Sequence, residues 1–312
     1  MSTDPARPAR SRMPARLLTA LYALVITPVA IGLISYGGGQ WFRILQQRST
    51  ADGLLPAGLD VAVLVGPLLA LAGGILLIAS VAASGIASSA GLLTTGVLGL
   101  FGVVTSAFPP LLSLVYEIAS PVIPWVVLDG LVFGHALLLP TLLGGLGLCL
   151  LLARRRPVTT QPAALVGVLV IPVLLAVGAV AMFQGQARGA LIWAQTLEVT
   201  VSPAVILLVL GGALLQVLAA AATRWSPHAL VIPAVALLAL SAIPLLGIGI
   251  GPVAGTLWTY SAGLPMIFLG TGGGLAAAAA MLVHTVALRI VRARSDRAQE
   301  RAAAPDASTA VG

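Results

Sequence analysis

Two carboxylates stand at the start of long apolar runs, and an arginine precedes each of them. Asp60 opens the run in "GLDVAVLVGPLLALAGG", and Glu198 opens the run in "TLEVTVSPAVILLVLGG". Arg43 and Arg188 lie in the segments just before these runs. We expect Arg43 to pair with Asp60 and Arg188 with Glu198. Such pairs either hold a loop in place or line the mouth of a site for a polar ligand, and the sequence leaves both open.

Asp129 and His135 are further candidates because they lie inside an apolar run. An ionisable group in such a run can belong to a proton or cation path, or it can be a carboxylate satisfied near a helix end. Six residues separate the two side chains, which places them on different faces of one helix. The candidate ligand-binding residues are therefore Arg43, Asp60, Asp129, His135, Arg188 and Glu198.

Motifs for catalysis or cofactor binding are missing from the sequence. There is no serine in a G-x-S-x-G setting, no H-E-x-x-H pair and no Walker loop. Cys149 is the single cysteine, which excludes an intramolecular disulfide and a cysteine metal cage. His135 and His284 fall at different depths of their segments, which disfavours paired haem ligation. We expect no catalytic residue, no metal and no cofactor, and we expect that the protein is not an enzyme.

The composition is that of a chain surrounded by lipid. Of 312 residues, 59% are hydrophobic and 8% are charged, and the mean hydropathy is +1.08. A soluble domain carries roughly 25% charged residues, and a span of the bilayer needs roughly 20 apolar ones. The sequence predicts an all-α membrane protein with eight transmembrane helices, at 17–36, 59–82, 86–108, 126–152, 163–183, 203–223, 229–251 and 263–288.

Arginines cluster at alternate ends of these segments. Thirteen of the sixteen fall on one side if there are eight spans: Arg7, Arg10, Arg12, Arg16, Arg154, Arg155, Arg156, Arg224, Arg289, Arg292, Arg294, Arg297 and Arg301. Because basic residues are retained on the cytoplasmic side, we predict a multi-pass protein of the inner (plasma) membrane with both termini in the cytoplasm. Residues 1–16 are predicted to form a disordered basic tail, and 293–312 a cytoplasmic tail that is disordered at its end.

The chain also repeats itself. A shift of 138 residues aligns 59–79 with 197–217 without a gap. The pairs that recur in the same order are Pro28 with Pro172, Arg43 with Arg188, Pro110 with Pro244, and Trp125 with Trp258. We interpret 17–156 and 163–292 as two copies of a four-helix unit. Since four is even, both copies enter the membrane from the same side as parallel repeats.

The charge distribution also bears on partners. The formal net charge is +7, but the arginines are spread between apolar segments and do not form one patch with aromatic residues, so we predict no nucleic-acid partner. The expected partners are the lipid bilayer, anionic lipid headgroups at the cytoplasmic face and other membrane subunits. The chain has no lysine and no asparagine, which indicates a GC-rich genome and a bacterial source.

Three functions remain open at this stage. The first is a permease, or a carrier of lipids or amphiphiles, with a site between the two repeats. The second is a non-catalytic membrane subunit or scaffold of a larger complex, which the scarcity of charge inside the spans favours. The third choice is an intramembrane enzyme.

The predicted orientation can be tested with reporter fusions. Fusions at residues 50 and 190 should report the outer side, and a fusion at residue 85 should report the cytoplasm, because this arrangement keeps thirteen arginines inside. The readout is a pair of reporters, one active only outside the cytoplasm and one active only within it. A cytoplasmic signal at 50 or 190 would overturn the orientation.

Overall fold

The computed structural model describes residues 13–48, 61–155, 161–197, 201–245 and 263–303, and within these ranges there are helices and no strands. In chain order the helices are α1 Met13–Arg48, α2 Val61–Ser84, α3 Ala90–Ala107, α4 Pro109–Ala119, α5 Trp125–Val132, α6 His135–Arg155, α7 Gln161–Gln186, a π-helical turn Ala187–Leu191, α8 Ile192–Thr196, α9 Pro203–Ala222, α10 Val231–Leu245, α11 Leu264–Gly270 and α12 Gly273–Ala303. The predicted all-α class is confirmed.

Seven helices of the described chain are long and apolar enough to cross a membrane. They are α1, α2, α3, α6, α7 with its continuation to Thr196, α9 and α12. The predicted span 229–251 corresponds to α10, which has 15 residues, and 246–251 lie outside the described residues. These helices indicate a polytopic helical membrane protein.

The two remaining predicted spans are not single helices. The segment 126–152 is divided into α5 and α6, and the segment 263–288 contains α11 and α12. At each division a glycine has a positive φ, +86° at Gly134 and +83° at Gly272. Glycine adopts this conformation without the steric penalty of a Cβ atom, and it ends a right-handed helix. Apolar content alone predicted continuous helices because it does not register a change in backbone direction.

Helical hydrogen bonding resumes immediately after each break. The Leu138 N–H donates to the Gly134 carbonyl at 2.8 Å, and the Ala276 N–H donates to the Gly272 carbonyl at 3.0 Å. Gly272 follows Gly134 by 138 residues, which is the shift that aligns the two carboxylate-led runs. The breaks therefore occupy matching positions in the sequence.

Helix packing places α6 and α12 at the centre. α1 packs on α2 and α7 on α9; α3 packs on α6 and α10 on α12; α6 also packs on α9 and α12 on α2. α6 and α12 contact each other. In the apolar window of α6, 78% of the residues are buried, compared with 17% in α2. α6 is thus a core helix, and α2 presents most of its surface outward.

The outward surface is strongly apolar. Leu69 and Leu76 on α2 are 67% and 69% exposed, and Leu207 on α9 is 72% exposed. Contiguous apolar surface of this kind is rare on a soluble monomer but is the normal covering of a helix in contact with lipid tails.

Glycines allow the helices to approach closely, as their position inside the spans predicts. A Cβ atom at Gly96 of α3 would lie 2.8 Å from the Cα of Gly144 on α6. A Cβ atom at Gly212 of α9 would lie 2.7 Å from the backbone oxygen of Gly178 on α7. The adjacent Gly211 faces open space, with nothing within 4 Å of a Cβ.

The two neighbouring glycines of α9 provide a matched test of this packing. Gly212→Ala should destabilise the protein by about 1–3 kcal/mol, because its methyl group collides with the α7 backbone. Gly211→Ala should be neutral or stabilising by up to about 1 kcal/mol, because alanine is the better helix former. Unfolding in mixed detergent micelles measures both. Equal effects of the two substitutions would contradict the described interface.

Candidate functional site

One ion pair links α1 to α5. A guanidinium nitrogen of Arg43 donates to a carboxylate oxygen of Asp129 at 2.9 Å, and the two side chains are 49% and 24% exposed. The glycine face of α1 lets α5 approach: a Cβ at Gly39 would lie 3.2 Å from Val126, and one at Gly32 would lie 3.4 Å from Val127. The chain therefore carries Arg43 to Asp129 through helix packing.

Aromatic rings enclose the carboxylate side of this pair. The Tyr116 ring lies 5.5 Å from the Trp125 ring and 5.2 Å from the Trp193 ring, measured between centroids. Tyr116 lies on α4, outside the candidate spans, and burial raises the pKa of its hydroxyl well above the usual value; the charge of Asp129 and a hydrogen bond to it raise it further. The phenol consequently remains a neutral donor beside Asp129.

A second polar cluster is completely buried and is centred on His135. Its ring Nδ1 lies 3.0 Å from the Ser35 hydroxyl of α1, and its ring Nε2 lies 2.8 Å from the Thr271 hydroxyl. All three residues have 0% exposure. His135 is the first residue of α6, and Thr271 directly precedes Gly272. The imidazole thus joins the two helix breaks to each other and to α1.

The hydrogen bonds assign the ring tautomer. The Thr271 hydroxyl donates to the carbonyl of Ile267 at 2.6 Å, so its oxygen accepts from His135. Nε2 therefore carries the proton of a neutral imidazole, and Nδ1 accepts from the Ser35 hydroxyl. Every polar atom of the ring is satisfied by a side chain from a different helix, which is the condition for keeping an imidazole in an apolar interior.

The close approach of the helix backbones makes room for this cluster. Gly130 of α5 stands directly against the Ser35 hydroxyl, and Gly38 of α1 stands directly against the Thr271 carbonyl. A Cβ atom at either glycine would overlap these oxygens. Phe268 of α11 adds an apolar wall, since its ring centroid lies 5.5 Å from that of His135.

Gln186 attends the first break from the other half of the chain. Its amide nitrogen donates to the carbonyls of Leu131 at 2.6 Å and Val132 at 2.9 Å, which are carbonyls of the last turn of α5. The end of a helix leaves such carbonyls without an intrahelical partner. The amide oxygen of Gln186 is buried next to Gly134 and has no hydrogen-bond partner among the described residues.

The structure brings together some of the predicted site residues and not others. Arg43 pairs with Asp129, while Asp60 and Glu198 lie outside the described residues, so both predicted carboxylate pairs stay untested. Arg188 is exposed on the π-helical turn. His135 is the centre of the buried cluster and does not contact Asp129 through any bond described here, because the break at Gly134 separates their helices.

Sequence reasoning missed Ser35, Gln186 and Thr271, which carry ordinary polar side chains on apolar helices. Their signal was the pair of glycines that recur 138 residues apart, since a helix break inside an apolar bundle requires polar partners. The stretch "GTGGG" at 270–274, which contains the second break, attracted attention only as a phosphate loop, and the predicted reading of it as packing glycine concealed its backbone role.

No three of the histidine, cysteine, aspartate and glutamate side chains that the structure describes come together as a metal site. His284 is fully buried on α12, and neither of its ring nitrogens has a hydrogen-bond partner in the described part of the chain.

No family model matches this chain, and no curated protein or solved structure matches it either. The functional argument therefore starts from the geometry of the two breaks.

The Arg43–Asp129 pair can be measured with a double-mutant cycle. Arg43→Gln and Asp129→Asn should show a coupling free energy of about 0.5 kcal/mol, toward the low end for ion pairs because the guanidinium is half exposed. As a control, Asp129→Asn combined with Arg294→Gln, at the far end of α12, should be additive. Unfolding free energies in mixed micelles provide the measurement. Additivity of the first cycle would remove the pair as an energetic link between α1 and α5.

Proposed function

We propose that this protein is a permease or carrier for uncharged, amphiphilic or apolar cargo, with its site at the junction of the two broken helices. The observation that carries the proposal is the hydrogen bond from His135, at the break between α5 and α6, to Thr271, at the break between α11 and α12. Discontinuous helices whose interruptions meet inside a bundle are a recurrent means of building substrate sites in membrane carriers.

The packing of the helices supports two parallel four-helix repeats as the framework of this carrier. Exchanging the halves converts each of several contacts into another that is present: α1–α2 into α7–α9, α3–α6 into α10–α12, and α6–α9 into α12–α2. The contact between α6 and α12 converts into itself. The exchange is also the one that takes Gly134 to Gly272. A pseudo-two-fold axis along the membrane normal, between α6 and α12, accounts for all of these contacts.

The chemistry of the junction favours cargo without a full charge. Ser35, His135, Gln186 and Thr271 offer neutral donors and acceptors, and Phe183 and Phe268 offer aromatic walls, their ring centroids being 5.5 Å apart. An ionic cargo would require a buried opposite charge to offset desolvation. The unpartnered amide oxygen of Gln186 provides an acceptor for a hydroxyl or amide group of the cargo.

The two breaks also provide the moving parts. A break leaves the halves of a helix connected by one or two residues, and small rotations there change the packing of one repeat against the other. The exposed end of the bundle that carries Arg43 and Asp129 would close the outer route while this pair is formed. We place the protein in a bacterial inner membrane with both termini in the cytoplasm.

A non-transporting membrane subunit is the alternative, and one surface feature favours it. The outer face of α1 bears an open apolar groove of about 590 Å³ beside α2, lined among others by Leu18, Tyr22 and Val25. A helix of another subunit would fit such a groove as well as a lipid chain. In a scaffold the His135 cluster would only fasten α1, α6 and α11 together.

Cysteine accessibility distinguishes a carrier from a scaffold without knowledge of the cargo. Ser35→Cys, in a Cys149→Ala background, should react with a membrane-impermeant thiol reagent from both faces of the membrane, because alternating access exposes the junction to water from each side in turn. Leu92→Cys is the matched control: Leu92 is also 0% exposed, but it packs between α3 and α6 of one repeat. We expect it to remain unlabelled.

The labelled fraction on intact cells and on inverted vesicles gives the result. Thr271→Cys, at the second break, repeats the test without altering Ser35. If both junction cysteines remain unreactive in protein that elutes as a single folded species, the junction is static and the scaffold is correct.

A further inference from the structure

Basic side chains from two parts of the chain meet at one end of the bundle. Arg224, Trp225 and His228 lie between α9 and α10, and Arg289 and Arg292 lie on the last part of α12. α9 has 20 residues and runs about 30 Å from Pro203 to Ala222. Arg224 thus lies at the bundle end opposite to the start of α9. We refer to Arg224, His228, Arg289 and Arg292 as the basic cluster.

Specific contacts hold the basic cluster together. The Arg292 guanidinium donates to the backbone carbonyl of Arg224. A guanidinium nitrogen of Arg289 lies 3.2 Å from Nδ1 and 3.1 Å from Nε2 of His228. The Arg224 guanidinium stacks 4.5 Å above the centroid of the Trp225 ring. The cluster is therefore a packed arrangement in which Arg224 and Arg292 are partly buried and Arg289 and His228 are exposed.

The basic cluster has no neutralising carboxylate among the residues that the structure describes. None of Arg224, Arg289 and Arg292 forms a salt bridge with a described carboxylate, and Asp296 acts on Arg292 only through its charge at longer range. Guanidinium groups confined in this way repel one another, and more strongly at a low-dielectric boundary than in water. An anion between them removes the repulsion and accepts several charge-assisted hydrogen bonds.

A phosphate group matches this arrangement. Each guanidinium has five donors in a planar fork, which suits the oxygens of a phosphate, and Arg292 uses only part of its set on the Arg224 carbonyl. The exposed indole of Trp225 is a side chain that prefers the boundary between hydrocarbon and water. The cluster also lies where the apolar part of α12 passes into its arginine-rich end. The anion in reach at that depth is a lipid headgroup.

We propose that Arg224, His228, Arg289 and Arg292 form a binding site for the phosphate of an anionic phospholipid, at the membrane surface where α12 leaves the bundle. This is a discrete site built by two chain segments, and it differs from a diffuse attraction of the basic C-terminal tail to the membrane. It is independent of the cargo route at His135.

The test is lipid titration of the full chain in detergent, followed by native mass spectrometry. The wild type should retain one phosphatidylglycerol in preference to phosphatidylcholine. Arg224→Gln with Arg289→Gln should weaken phosphatidylglycerol binding about 25-fold, since each arginine near a membrane surface contributes about fivefold. Arg289→Lys should have a smaller effect, because it keeps the charge but loses the planar fork.

The matched control removes the same charge from the same helix. Arg294 and Arg297 are exposed on α12 and lie outside the basic cluster. Arg294→Gln with Arg297→Gln should weaken binding less than about fivefold. Equal losses in the two double variants, or equal retention of the two lipids by the wild type, would show only diffuse attraction and would overturn the proposal.

Inorganic phosphate distinguishes the source of the anion. At millimolar concentration it should not displace phosphatidylglycerol from the wild type. Displacement, together with stabilisation of the lipid-free protein against thermal unfolding, would assign the site to a soluble phosphate compound and would overturn the lipid assignment. If the Arg224→Gln and Arg289→Gln double variant fails to elute as a folded species, the single substitution Arg289→Gln replaces it, with an expected fivefold loss.

Discussion

Hydrogen bonding of the backbone in a medium without water is the constraint on which this structure depends. Within lipid, each peptide group must find its partner inside the protein, and a continuous helix is the simplest solution. The chain departs from that solution at Gly134 and Gly272, where the backbone adopts positive φ. Both departures lie on the central helices, so the carbonyl groups that they release are met by protein and not by solvent.

The polar side chains of the interior are arranged around this requirement. Gln186 binds two carbonyls at the end of α5, and Thr271 returns its hydroxyl to the carbonyl of Ile267. His135 then connects the hydroxyls of Ser35 and Thr271. The interior of the bundle thus contains few polar groups, but those present are concentrated where the helices are interrupted, which is why the junction is the best candidate for a site.

The sequence predicted the helical class and most spans, since these depend on composition and length, which can be read along the chain. It also identified Asp129 and His135, because ionisable groups are conspicuous among apolar residues. It did not predict that Arg43 would meet Asp129, which lies 86 residues away. That contact depends on how closely α1 approaches α5, and this distance is set by Gly32 and Gly39 against two valines. Ser35 and Thr271 were missed for the same reason: their importance comes from their neighbours in space.

The His135 junction has a consequence for the biogenesis of the protein. Its three members come from residues 35, 135 and 271, so the first two enter the membrane long before the third has been synthesised. Because chains are made and inserted from the N-terminus, the imidazole must remain in the nascent bundle without its Thr271 partner until α11 arrives. The last part of the chain to be translated therefore completes the centre of the molecule, and a chain truncated before it would retain an unsatisfied polar group in its core, where quality-control proteases act on incompletely assembled bundles.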